Sequence, residues 1–123
     1  MEARLARILA AAPTRSAHKQ IETLVALHGT SAYHYLTLPD VDPYSLALAE
    51  DFENTFVGIF GRREHLIVDT IQAMGWADPV NDLIRTWAIP PGVLTFDHDL
   101  IWDHLHDMYT LIDDHGELYV FHR

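Results

Sequence analysis

Proline and glycine set the grain of this chain. Pro13, Gly29, the 39–43 segment, Gly58, Gly75, Pro79, Pro90-Pro91-Gly92 and Gly116 recur so closely that every apolar-periodic run between them is short. Proline removes a backbone donor and glycine tolerates left-handed conformations, so both end regular elements. A membrane-crossing helix, which needs ~20 apolar residues in a row, is not expected. The expectation is short elements around one core, and 123 residues that are 49% apolar are enough to build it.

Leu5, Ile8, Leu9 and Ala12 repeat at helical spacing, Pro13-Thr14 interrupts them, and Ile21, Leu24, Val25 and His28 resume the pattern until Gly29. Ser31 to Leu38 is aromatic and β-branched, which predicts a first strand. The rigid connector from Pro39 to Pro43 marks a subdomain boundary between residues 1–39 and an acidic part, 40–123, within one compact unit. Beyond it the pattern predicts a short helix through Leu46 to Phe52, and a strand over Thr55 to Phe60 with a bulge at Gly58. A helix from Arg62 to Met74 and another capped by Asp78 and running through Trp87 follow. A last helix from Asp97 to about Ile112, a turn at Asp114-His115-Gly116 and a strand over Glu117 to His122 complete the chain. The expected class is α+β, a small mixed sheet of about three short strands packed with four to six helices.

Charge narrows the function classes. Eighteen acids against eight Lys and Arg give a formal charge of −10. Its distribution is uneven: residues 1–39 carry a net +2, whereas 40–123 carry sixteen acids against Arg62, Arg63, Arg85 and Arg123, a net −12. Nucleic acid and anionic membranes are therefore not expected as direct ligands. The absence of cysteine excludes disulfides, thiolate-bound metals and thiol nucleophiles. With an N-terminal apolar run too short for a signal sequence, the expected compartment is cytoplasmic.

The helix from Asp97 divides by face: Ile101, Leu105, Met108 and Ile112 on one side, Asp99, Asp103, His106, Asp107 and Asp113 on the other. Asp99, Asp103 and Asp107 stand at i, i+4 and i+8, a carboxylate about every 6 Å. A DNA strand carries one charge per ~3.4 Å of axis, so the densities agree within a factor of two. Like charges at this spacing cost ~0.2–0.5 kcal/mol per pair, and no lysine is interleaved to offset them. Solubility alone is the simpler account of an acidic face. Glu50, Asp51 and Glu53 form a second cluster.

Nine histidines raise the question of metal, with Asp103, His104, His106 and Asp107 crowded together. Spacing argues against it, because His104 and His106 point about 160° apart and no HExxH is present. No GxSxG motif or glycine-rich phosphate loop appears, and Ser16, Ser31 and Ser45 are the only serines. The expectation is a protein that is not an enzyme, with no cofactor and no metal.

Three stretches resemble antirestriction proteins of the ArdA type. They are Ala49-Glu50-Asp51-Phe52-Glu53-Asn54-Thr55-Phe56-Val57-Gly58, then Leu94-Thr95-Phe96-Asp97 entering the acidic helix, then Gly116-Glu117-Leu118-Tyr119-Val120-Phe121. The resemblance covers roughly residues 44–123 and leaves 1–39 outside it. It implies a DNA mimic of a phage or mobile element, often dimeric, acting in a bacterial host. Such a protein blocks the DNA-binding groove of a type I restriction-modification enzyme, or here of another DNA-binding defence protein such as a CRISPR effector. Candidate contacts are Asp99, Asp103, Asp107, Asp113, Asp114, Glu50, Asp51 and Glu53, as carboxylates meeting the target's Lys and Arg.

An alternative is a non-catalytic interaction or regulatory module in which Trp76, Trp87, Trp102 and the N-terminal helices form the interface, and a third, less favoured by the spacing, is a small metal-dependent enzyme that uses the histidine cluster. An apolar N-terminal helix pair on a small acidic domain also allows a homodimer, which would double the charged surface.

Overall fold

The computed structural model describes residues 2–123. Its elements run α1 (Glu2–Ala10), α2 (Arg15–His28), α3 (Thr30–Leu36), α4 (Leu48–Thr55), β1 (Phe56–Phe60), α5 (Arg63–Ala73), α6 (Ala77–Thr86), α7 (His98–Met108), β2 (Tyr109–Asp114) and β3 (Glu117–His122). The class is α+β. The strands form one antiparallel sheet in the order β1-β3-β2, so the C-terminal strand is central.

That position explains the layering. Successive side chains of a strand point to opposite faces, and β3 is buried on both. Tyr119 and Phe121 join Ile21, Leu24, Tyr35, Leu36, Leu48 and Phe52 on one face. Leu118 and Val120 join Leu66, Ile67, Ile71 and Leu105 on the other. The sheet therefore lies between a layer built from α1–α4 and a layer built from α5 and α7. Residues on both sides of the 39–43 connector share the first cluster, where Phe56 stacks on Phe52 at 5.1 Å between ring centroids and meets Phe121 at 5.4 Å.

Two elements differ from the sequence expectation. The stretch from Ser31 to Leu38 is not a strand but helix α3, which opens directly after Gly29 at φ 55°, ψ −124° ends α2. Ser31, Ala32, His34, Tyr35 and Leu36 are all buried, a pattern that three-to-four residue spacing satisfies and alternation does not. The aromatic content reflects burial in the first core rather than strand pairing. The last helix ends at Met108 instead of continuing to Ile112, and Tyr109–Asp114 forms β2, paired with β3 from Tyr109↔His122 to Asp114↔Glu117. Leu105, Met108 and Ile112 fit a helical face, but the β-branched and aromatic run over 109–112 gains a full ladder with β3. Asp113 therefore belongs to a strand, not to the acidic helix.

The expected bulge is present: the register shifts between Phe56 and Gly58, leaving Val57 as the extra residue. Helix α6 begins one residue before Asp78, with Trp76 at the N-cap and no side-chain cap bond, so Asp78 acts through its charge in the first turn. No helix among the described residues is long and apolar enough to cross a membrane.

Candidate protein-binding surface

Asp97 starts α7 by accepting from the Leu100 backbone N–H at 3.0 Å, which satisfies one of the unpaired donors of the first turn. Leu105 then anchors the helix with no exposed surface, and Ile101 and Trp102 pack beside it in the second core. With Ile101, Trp102 and Leu105 turned to the sheet, Asp99, Asp103 and Asp107 are all exposed on the outer side. Among the described residues Asp103 and Asp107 have no ion-pair partner, while Arg63 of α5 reaches Asp99 at 3.6 Å and lies 5.7 Å from the Trp102 ring centroid. His106 donates from Nδ1 to the Trp102 carbonyl at 2.9 Å, which directs that ring along its own helix.

The remaining candidates separate. Asp113 faces the α7 layer and lines a hollow with Arg62, Arg63, Trp102 and His106. Asp114, one residue on, points to the opposite face, where His34 and His115 both bond its carboxylate. Those two hydrogen bonds hold its carboxyl below the usual carboxylate range. Asp114 is thus engaged within the fold.

Glu50 and Glu53 are exposed on α4 and line a groove of about 540 Å³ between α2 and α4, together with Lys19 and His28. Asp51 turns away from them and accepts from the Ser45 hydroxyl at 2.9 Å. Because α4 packs on the face of the sheet opposite α7, the structure does not bring the Glu50 cluster and the Asp99 row into one surface.

Trp76 and Trp102 pack against the second core, but Trp87 is 72% exposed, as are Leu83 at 46% and Val93 at 70%. Three features were not anticipated: the burial of His34 against Asp114, the reach of Arg63 to Asp99, and the exposure of Leu100 beside the acidic row. The last had a signal, since at 100° per residue Leu100 falls next to Asp107 on the wheel. The first two depend on tertiary contacts.

Among the described residues no group of three or more His, Asp or Glu side chains is placed to hold a metal ion. Of the aromatic residues of the antirestriction-like stretches, Phe52, Tyr119 and Phe121 are buried in the first core, and Phe56 and Phe96 are half-buried against one cluster or the other. No family model, curated protein or solved structure matches the chain.

Proposed function

We propose that this chain is a non-catalytic inhibitor that occupies the DNA-binding surface of a host-defence enzyme, its carboxylates standing in for phosphates. The observation that carries the reading is the exposed row on α7, in which Asp103 and Asp107 have no cation of their own among the described residues. The row is about 12 Å long at 1.5 Å rise per residue, which corresponds to three or four phosphates of one strand. Asp113 lies on the same side of the sheet but in a separate hollow, beside Arg62 and Arg63. A surface of one sign draws a basic partner by long-range attraction and gives fast, salt-sensitive association. The target class that the antirestriction resemblance implies is a type I restriction-modification enzyme.

The test is binding of the purified protein to such an enzyme across a salt series, with duplex DNA as competitor. Displacement by DNA and steep weakening with salt are expected. Binding indifferent to both would refute mimicry.

Trp87 favours a second reading. Val80, Leu83 and Ile84 of α6 and Trp87 at its C-cap make one apolar stripe, of which Leu83 and Trp87 stay uncovered, and such an aromatic ridge is the usual anchor of a protein interface. In that reading Trp87→Ser abolishes partner capture while Asn variants of the acidic row bind normally.

A further inference from the structure

The acidic row has an apolar neighbour. Trp76, at the start of α6, and Leu100 and Ile101 of α7 line a hollow of about 420 Å³ whose polar margin is Asp103, His104 and Asp107. Leu100 is 67% exposed although it sits in a helix with a well-filled core side. Phosphate mimicry alone does not need an apolar side chain there. DNA-binding surfaces that kink the duplex through its minor groove or hold single strands, however, interleave their cations with aromatic or apolar groups that wedge between bases or stack on them. When a protein replaces the nucleic acid, those groups need an apolar receptor beside the charges.

Resting on the mimicry reading above, we propose that the Trp76–Leu100–Ile101 hollow receives an aromatic or apolar side chain of the partner, while Asp103 and Asp107 pair with the Lys or Arg residues flanking it. The hollow takes the place of the base stack, and the row takes the place of the backbone. The charge of its margin selects the occupant: a basic segment with an apolar residue between its cations. A second copy of this chain fits less well, since α6 and α7 would bring acidic surface against acidic surface.

The experiment uses the full-length protein and two peptides of equal length and charge, one of lysine and glycine, the other with tryptophan between the lysines. Affinities and amide shifts are read by NMR titration. The tryptophan peptide is expected to bind about tenfold more tightly and to shift the amides around Trp76 and Leu100. Leu100→Ser should bring its affinity down to that of the glycine peptide. An affinity ratio that survives Leu100→Ser, or tryptophan-dependent shifts centred elsewhere, overturns the proposal. So does a fall in sedimentation mass in Leu100→Ser, which would make a second copy the occupant. Asp103→Asn with Asp107→Asn should weaken both peptides; if neither weakens, the mimicry reading itself fails.

Discussion

The imidazole of His34 donates from Nε2 to Asp114 Oδ2 at 2.9 Å, closing a contact between residues eighty positions apart. His34 is on α3 and Asp114 ends β2, so the bond ties the N-terminal helical layer to the C-terminal hairpin, and the His34 ring packs 4.6 Å from that of Tyr119. The carboxyl of Asp114 is held below its ordinary value, first by the bond from His34 and next by that from His115. A carboxylate whose folded pKa is depressed stabilises the fold above its unfolded pKa, and that contribution is lost as pH falls through the folded pKa. The window therefore lies below about pH 4. Asp114→Asn should lower the melting temperature near pH 7, and the gap from wild type should close as the acid window is crossed. A gap independent of pH would show that these hydrogen bonds do not stabilise the ionised Asp114 carboxylate.

The two cores make separate demands on stability. Phe52 and Leu105 are both essentially inaccessible, on opposite faces of the sheet. Phe52→Ala should cost about 3–5 kcal/mol and Leu105→Ala about 2–5 kcal/mol, through lost burial and the cavity left behind. Urea unfolding measures both. A loss below about 1 kcal/mol for either would mean that the layer it anchors is not packed on the sheet.

Gly29 joins α2 to α3 at φ 55°, ψ −124°, and a Cβ built there meets nothing within 4 Å. The cost of Gly29→Ala is therefore conformational and not steric, of order 1–3 kcal/mol for a residue held in so sparsely populated a region. Thermal denaturation reads it directly. A melting temperature unchanged from wild type would show that the α2–α3 junction does not hold Gly29 at positive φ.

That junction also shows where sequence reading succeeds and fails. Gly29 and Gly75 were legible as helix stops because each acts through local backbone geometry, at positive φ, and a bulge was legible beside Gly58, although Val57 is its extra residue. The β3 strand was legible through its apolar run, buried on both faces. Tyr33, Tyr35 and Thr37 misled because aromatic and β-branched residues serve a buried helix as readily as a strand, and only packing on Phe52 and Phe121 decides. Ile112 misled because 3.6-residue spacing continues past Met108, while the ladder that captures it lies across a turn with His115 and Gly116 both at positive φ. The acidic row was legible because a wheel needs only one helix. Separation of the Glu50 cluster from it was not, since that depends on which face of the sheet each helix covers.

The row makes opposite demands on folding and on binding. Asp107 lies in the last turn of α7, where the helix dipole disfavours a negative charge, and Asp103 repels it from one turn away. Asp103→Asn with Asp107→Asn should leave stability unchanged or raise it by up to about 0.5 kcal/mol. Asp99 differs, since Arg63 lies beside it and the positive end of the helix favours it, so Asp99→Asn should bring no gain. If the row is only a solvated face, the double variant is indistinguishable from wild type in every binding assay. If it meets a basic partner, the same variant weakens association about tenfold or more and flattens its salt dependence, while the protein melts no earlier. A stability gain paired with a binding loss is the signature of side chains placed for a partner and not for the fold. Melting and binding measured on one preparation therefore decide between the two accounts of α7.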